Sequence, residues 1–386
     1  MFEVSERLKK LPPYLFAEID RKKKKLISEG VDIIDFGIGD PDLPTPKNII
    51  EAMKKGIKNP SFYRYPLGKG TPAFRKAIAD FYKEHYEAKL NPDEEIVVLI
   101  GSKEGIAHLP WAFLNPGDVS LVPEPGYTVY HIGTILAEGI PYFLSLKEEN
   151  KFLPELNKIP QNILKRAKIL FLNYPNNPTS AFAEKSFLIE AIKFCERNGI
   201  ILVYDAAYSE IYFEEKPVSL LSLPGAKKVS IEFHSLSKTY NMTGWRIGWA
   251  CGNRELVAAL AKIKENIDSG TFEAIQFAGI EALTGNQESV NNLRAIYRKR
   301  MDILVDGLRE VGFRIIPPKG TFYCWVKIQG SSIETAEYLL EKAGIVATPG
   351  IGFGPSGEGY LRFSITVSEQ KIKEGIRRMK KIWGKK

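Results

Sequence analysis

The feature that most constrains the fold is a repeated alternation of short apolar segments with helical stretches. The apolar segments are rich in β-branched residues, and they are continuous runs rather than alternations, which indicates strands buried on both faces. Strands that alternate with helices predict a mostly parallel α/β sheet. The predicted strands span residues 96–100, 119–122, 169–172, 200–204, 229–233 and 247–251, with helices near 103–114, 127–137, 184–198 and 253–267.

The C-terminal third has a different pattern. A long helical stretch near residues 287–311 precedes apolar segments at 322–328 and 360–366, a helix near 333–343 and a final basic helix. This predicts a smaller α+β domain, and the helical run at 14–28 is expected to pack with it. We therefore predict a large domain over residues 44–285 and a small domain formed by 1–43 and 286–386.

Composition excludes several classes of protein. Hydrophobic residues make up 44% of the 386 residues and charged residues 26%, and the net charge of +8 is spread along the chain, so nucleic-acid binding is not expected. Three widely spaced cysteines without a CxxC pair indicate neither a disulfide framework nor a zinc site, and no metal ligand set is predicted. This cysteine usage favours a cytoplasmic protein, and no apolar stretch is long enough to span a membrane.

The segment Gly352–Gly357 matches the G-x-G-x-x-G pattern of dinucleotide-binding proteins. That fingerprint requires a preceding strand and a following helix. Here the glycines lead into an apolar segment at residues 360–366 that is predicted to be a strand, so a dinucleotide site is rejected.

Polar clusters follow four of the predicted strands, where ligands bind in open parallel sheets. Ser102 follows the first strand and opens a helix, whose N-terminal N–H groups suit a phosphate. Asn177 lies in an Asn/Pro-rich segment after residues 169–172, and Asp205 and Tyr208 follow 200–204. Each has a simpler interpretation: Ser102 as an N-cap, the asparagine segment as a turn, and Asp205 as a cap or a loop salt bridge.

The fourth cluster is Ser235-Leu236-Ser237-Lys238, with Arg246 eight residues after the lysine. A lysine that reacts with carbonyls needs a site where its amine can lose a proton. Arginine and small hydroxyl groups suit a phosphate. Together these chemistries suggest pyridoxal phosphate, although a lysine in a polar loop is usually only solvated.

The stretch resembles the S-x-S-K-x-x-x-x-x-G-x-R-x-G motif of class I/II, fold-type I aminotransferases, and the segment Asn177-Pro178-Thr179 resembles their N-P-T-G element, with Ser180 in place of the glycine. The resemblance covers essentially the whole chain. It implies the pyridoxal-phosphate-dependent transferase fold of type I and a homodimer with shared active sites. The cofactor site that it implies comprises Ser102, Lys103, Tyr127, Asn177, Asp205, Tyr208, Ser235, Ser237, Lys238, Arg246 and Tyr65.

The resemblance also implies individual roles. Lys238 and Asp205 are the catalytic residues, the first on the cofactor carbonyl and the second on the pyridine nitrogen, while Tyr127 stacks on the pyridine ring. Tyr65 reaches the phosphate of the neighbouring subunit. The implied substrate site comprises Tyr14, Gly39, Lys103, Asn177 and Arg362, of which Arg362 binds the α-carboxylate.

Within the family, the segment from residue 233 to 248 is most similar to the LL-diaminopimelate aminotransferases, in which Tyr14 would contact the substrate and Lys103 would face its distal carboxylate. That similarity implies transfer of an amino group to 2-oxoglutarate by a ping-pong mechanism. An aspartate- or glutamate-type aminotransferase is the main alternative, because it would use Lys103 in the same way. A pyridoxal-phosphate-dependent lyase is less favoured. A transcription regulator would need an added DNA-binding domain, for which residues 1–13 leave no room.

Overall fold

The computed structural model describes residues 2–12, 17–66 and 68–383. Tyr14, which was predicted to contact the substrate, lies outside the described residues. The strands are β1 (Ile34–Asp35), β2 (Ile96–Leu99), β3 (Val119–Glu124), β4 (Ile140–Ser145), β5 (Ala167–Asn173), β6 (Ile201–Asp205), β7 (Ser230–Ser235), β8 (Gly248–Gly252), β9 (Tyr323–Lys327), β10 (Ile345–Val346), β11 (Thr348–Pro349) and β12 (Tyr360–Ser364).

The α-helices alternate with these strands in the first two thirds of the chain. They are α1 (Glu6–Lys9), α2 (Ala17–Ser28), α3 (Lys47–Ile57), α4 (Pro72–Tyr86), α5 (Ser102–Phe113), α6 (Val129–Leu136), α7 (Gln161–Leu164), α8 (Lys185–Asn198), α9 (Ala226–Val229), α10 (Leu236–Thr239), α11 (Arg254–Glu265), α12 (Glu273–Thr284), α13 (Glu288–Val311), α14 (Ser332–Ala343) and α15 (Glu369–Trp383). None of the helices in the described ranges is both long and apolar enough to cross a membrane.

The central element is a seven-stranded sheet of order β2-β8-β7-β6-β5-β3-β4. Its strands are parallel except for β8, which runs antiparallel to both neighbours, β2 and β7. The predicted mostly parallel α/β sheet is therefore confirmed. The sequence prediction missed β4, an edge strand that contains a proline and exposes Ile140 and Phe143, and therefore lacks the continuous apolar run of the buried strands.

Helices cover both faces of this sheet, which explains why its inner strands are apolar at successive positions. Along β5, Ile169 and Phe171 face a core that includes α5, α6 and α11, whereas Leu170 and Leu172 face a core that includes α8. Successive side chains of a strand point to opposite faces, so burial on both sides requires an uninterrupted apolar run.

A second core joins the two ends of the chain. It contains Ile19 from α2, Ile34 and Phe36 near β1, and apolar residues of α13, α14 and α15. The antiparallel sheet β11-β12-β9 and the parallel pair β1-β10 contribute its strands. The core also includes Tyr208, from the loop after β6, so it extends to the central sheet. The boundaries at residues 43/44 and 285/286 stay a prediction.

The glycine-rich segment before β12 forms two 3₁₀ turns, Gly350–Phe353 and Pro355–Gly357, and the chain then enters β12 directly. The strand predicted after the glycines is therefore present, in the place where the dinucleotide fingerprint requires a helix.

Candidate active site

The C-terminal ends of β5, β6 and β7 meet at one edge of the sheet. Asn173 pairs with Asp205, and Asp205 pairs with Phe233, two residues before the end of β7. The polar clusters that follow these strands therefore surround one cavity of about 720 Å³, a size that suits a small-molecule ligand. The predicted residues that line it are Gly39, Ser102, Lys103, Tyr127, Asn177, Asp205, Tyr208, Ser235, Ser237, Lys238, Arg246 and Arg362.

Lys238 lies in α10, the short helix that follows β7. The side chain of Ser235 caps this helix by accepting a hydrogen bond from the N–H of Ser237 at 3.1 Å. The Nζ of Lys238 donates to the carbonyl oxygen of Gly39 at 3.1 Å. Burial lowers the pKa of the Lys238 amine to about 8, although the carboxylate of Asp40 opposes this shift. A much larger fraction of this amine is neutral and nucleophilic near neutral pH than in an ordinary lysine.

The N-terminus of α5 forms one wall of the cavity. Gly101, not Ser102, is the N-cap residue of α5, so the interpretation of Ser102 as an ordinary cap is wrong. Gly101 has φ +77°, and a Cβ atom there would lie 2.5 Å from Nη2 of Arg246. The guanidinium of Arg246 thus lies directly beside the free N–H groups of a 12-residue helix. A helix N-terminus next to an arginine and small hydroxyls is a suitable site for a phosphate.

Asp205 is a buried carboxylate at the end of β6. The hydroxyl of Tyr130 donates to its Oδ2 at 2.8 Å, and the N–H of Ala207 donates to its Oδ1 at 3.2 Å. It forms no ion pair with the described residues, so it is not the loop salt bridge considered above. Burial raises the pKa of this carboxyl to about 6, despite the two hydrogen bonds. A buried carboxylate without a cation in a ligand cavity fits the protonated pyridine nitrogen of pyridoxal phosphate.

Two other polar side chains approach the cavity near Asp205. The hydroxyl of Tyr208 lies 3.0 Å from the hydroxyl of Tyr323, and both residues are buried. Asn177 accepts a hydrogen bond from Nη1 of Arg362 through Oδ1 at 2.8 Å, which leaves its amide N–H groups able to donate to a ligand. The turn that carries Asn177 is therefore part of the cavity wall and not a solvated loop.

Arg362 has the geometry of a carboxylate-binding residue. Its guanidinium lies between the rings of Tyr323 and Phe353, 4.2 and 4.7 Å from their centroids. Nη2 donates to the carbonyl oxygen of Gly37 at 2.8 Å, and Nη1 donates to Asn177. Arg362 is only 7% exposed, and its buried Nε has no hydrogen-bond partner. Arg362 also lines the cavity, where its guanidinium can bind a carboxylate of a ligand.

Among the predicted site residues that the structure describes, Tyr65 alone does not line the cavity. Its side chain is 91% exposed on the surface of this chain. The prediction placed it in the site of a neighbouring subunit, so its role there stays a prediction. Lys103 does line the cavity, at the first turn of α5, and its side chain is exposed.

Sequence reasoning missed Tyr130, Tyr323 and Asp40. Tyr130 lies in α6 and supports Asp205, whereas Tyr323 and Asp40 line the cavity. Tyr323 lies in the apolar segment predicted at residues 322–328, and no role in the site was predicted for it. The antiparallel register places Arg362 opposite Trp325, so Tyr323 projects from the same face of the sheet as Arg362. This register depends on packing and is not visible in the sequence.

Comparison with known proteins identifies the family. The model of the aminotransferase class I and II family matches residues 31–379. The LL-diaminopimelate aminotransferase of Aquifex aeolicus is 54% identical over 385 residues, which cover 99% of this chain and 100% of that protein. The enzyme of the same name from Halothermothrix orenii is 52% identical over 381 residues, 98% of each chain.

Solved structures agree with this assignment. The substrate-bound BacF structure from Bacillus subtilis has a TM-score of 0.94 and 39% identity, covering 99% of this chain and 98% of that one. A double mutant of the aspartate aminotransferase of Thermus thermophilus has a TM-score of 0.93 and 30% identity, covering 99% and 100%. The chain therefore belongs to the class I and II aminotransferases and is a pyridoxal-phosphate-dependent transaminase of fold type I.

Proposed function

We propose that this aminotransferase moves an amino group from LL-diaminopimelate to 2-oxoglutarate by a ping-pong mechanism, as a step of lysine biosynthesis. The observation that carries the substrate assignment is identity above 50% with LL-diaminopimelate aminotransferases over nearly the whole chain. The charges around the cavity support it, because cationic side chains are available for two carboxylates.

The cavity residues suggest how pyridoxal phosphate is held. The N-terminus of α5, with Ser102, Ser235, Ser237 and Arg246, would bind the phosphate, since these groups supply N–H, hydroxyl and guanidinium donors. When bound, the cofactor withdraws electrons from the substrate Cα. Asp205 would keep the pyridine nitrogen protonated, and Tyr127 would cover the ring.

Lys238 would carry the proton transfers. Burial lowers the pKa of its amine to about 8, so an appreciable fraction of the amine is neutral near pH 7, and in that form Nζ would accept the proton from the substrate Cα and pass it on. The amide of Asn177 and the hydroxyl of Tyr208 would donate to the phenolic oxygen of the cofactor.

Two cationic residues would bind the carboxylates of the substrate. Arg362 lines the cavity and would fix the α-carboxylate through its guanidinium, together with the N–H of Gly39. Lys103 lies on a different element, α5, and would meet the distal carboxylate. Arg362 and Lys103 thus offer two cations on different elements, so a substrate with carboxylates at both ends suits this pair.

The substrate assignment predicts a clear order of amino donors. With 2-oxoglutarate as acceptor, we expect kcat/KM for LL-diaminopimelate to exceed that for aspartate, alanine and phenylalanine by about 10- to 100-fold, because each site group left unpaired costs about 1–3 kcal/mol. A preference for one of the other three donors would overturn the substrate assignment and leave the transaminase in place. Keto-acid-independent turnover would instead indicate lyase chemistry.

Shared active sites in a homodimer make a second prediction. Tyr65 and Tyr63 are 91% and 64% exposed, and Phe62, in the same segment, packs against Phe277 of α12, so this face presents aromatic groups to a partner. Co-expressed Lys238→Ala and Tyr65→Ala chains should regain activity, up to about a quarter of the wild-type value, because half of the dimers are hybrids with one intact site.

The matched control pairs Lys238→Ala with Asp205→Ala. These two residues line the same cavity of one chain, so their hybrids contain no intact site and should regain nothing. Restored activity in this control, or a monomer by light scattering at the assay concentration, would contradict shared sites.

A further inference from the structure

Ser180 has a backbone conformation that serine rarely adopts. Its φ is +59°, in the left-handed region that normally favours glycine, and it lies in the turn that carries Asn177. Such a conformation costs free energy unless the surroundings hold it. Here the side chain provides the compensation: Oγ of Ser180 donates to the carbonyl oxygen of Tyr323 at 2.7 Å and lies 2.6 Å from Oγ1 of Thr321.

Thr321, the partner of Ser180, has the same unusual property. Its φ is +61°, and its Oγ1 accepts a hydrogen bond from the N–H of Tyr323 at 3.0 Å. Both hydroxyl residues are buried, and neither is among the residues that line the cavity. Together they bind both backbone polar groups of Tyr323, the first residue of β9. Ser180 and Thr321, both at positive φ, are therefore bonded to each other and to the backbone of Tyr323.

Tyr323 in turn contacts the groups that define the substrate end of the cavity. The guanidinium of Arg362 lies 4.2 Å from the centroid of its ring. Its hydroxyl oxygen lies so close to Gly39 that a Cβ atom at residue 39 would be 2.1 Å away. Arg362 then donates to Asn177, three residues before Ser180, at 2.8 Å. The contacts form a closed ring from Ser180 through Tyr323 and Arg362 back to the turn.

We propose that Ser180 and Thr321 are positioning residues for recognition of the amino-acid carboxylate. Their hydroxyl pair fixes Tyr323, and the ring of Tyr323 packs against the guanidinium of Arg362, which lines the cavity. The pair also joins the asparagine turn of the central sheet to β9, so that the cofactor side and the carboxylate side of the site keep one relative position. This inference rests on the proposed role of Arg362 as the carboxylate-binding residue.

The test uses the holoenzyme with Ser180→Ala, Ser180→Gly and Thr321→Val, and glutarate as a non-reacting dicarboxylate probe. We expect the inhibition constant of glutarate and the KM for the amino donor to rise about 3- to 10-fold in all three variants, as for loss of one or two hydrogen bonds. The kcat value should change less than about twofold, because none of these side chains touches the reacting atoms. Ser186→Ala, at an exposed position of α8, is the control and should behave as wild type.

Comparison of the two Ser180 variants separates positioning from general stability. Glycine relieves the strain of the positive φ and alanine does not, so Ser180→Gly should have the higher Tm, yet the two should share the same defect in glutarate binding. The double variant Ser180→Ala/Thr321→Val should bind glutarate no more weakly than whichever single variant binds it more weakly. Both changes break the same hydroxyl pair, so their effects should not add. Glutarate binding that follows Tm, or that is unchanged in the three variants, would overturn the proposal.

Arg362→Lys distinguishes this inference from the function on which it rests. If Arg362→Lys leaves glutarate binding unchanged, the carboxylate site itself is wrongly assigned. If Arg362→Lys weakens binding while the Ser180 and Thr321 variants do not, only the positioning role fails.

Discussion

Lys238→Ala is expected to reduce kcat for transamination by more than about 10⁴-fold, since general acid–base catalysis alone contributes about 10²–10⁴-fold and the covalent link to the cofactor is lost as well. Lys238 lines the cavity just after β7, and burial lowers the pKa of its amine to about 8, so an appreciable fraction of this amine is neutral near pH 7. The variant should also lose the visible absorbance of its cofactor on dialysis, because only non-covalent contacts then retain it.

Two other lysine variants sharpen this test. Lys238→Arg keeps the positive charge but cannot supply a neutral amine, so it should be as inactive as Lys238→Ala. Lys193→Ala, on an exposed face of α8, should behave as wild type. Full activity with retained visible absorbance in Lys238→Ala would remove this lysine from the mechanism.

The sequence predicted the strands of the central sheet well, for a physical reason. Burial on both faces leaves an unbroken apolar run, and such runs are visible at residues 96–100, 169–172 and 200–204. The edge strand β4 escaped detection because it contains a proline and exposes Ile140 and Phe143, so it has no unbroken apolar run. The antiparallel insertion of β8 between β2 and β7 was also not predicted, because strand pairing is a long-range property of the folded chain.

The candidate site was predictable to the extent that it lies at strand ends. Parallel strands bring their C-terminal ends to one edge, so Asn177, Asp205 and Lys238 were expected to converge, and all three line one cavity. Tyr130 and Tyr323 were missed because their contacts depend on how a helix and an antiparallel sheet pack against that edge. The roles of Tyr14 and Tyr65, and the cytoplasmic location, stay predictions.

Asp205→Asn is expected to lower kcat by about 10²- to 10⁴-fold, because loss of the charge that pairs with a buried cation costs about 3–5 kcal/mol. The asparagine amide keeps the shape of the side chain and can still accept the hydrogen bond from Tyr130. The variant therefore removes the negative charge and leaves the packing nearly unchanged. The phosphate contacts at α5 remain, and the variant should therefore still bind the cofactor. Wild-type kcat in Asp205→Asn would exclude the proposed pairing with the pyridine nitrogen.

Asp205→Asn should lower the activity of the holoenzyme but raise the folding stability of the cofactor-free enzyme. Burial raises the pKa of Asp205 from 3.8 to about 6, so ionisation of this group opposes folding, and the penalty grows as pH rises from about 4 to 6 and is complete above that range. Asp205→Asn should therefore stabilise the cofactor-free enzyme at pH 7, by roughly 1–2 kcal/mol, and have little effect at pH 4. Urea unfolding at both pH values measures this difference. If Asp205→Asn without cofactor is less stable than the wild type at pH 7, the Asp205 carboxylate already has a compensating cation within the protein. The site would then not need a cationic ligand.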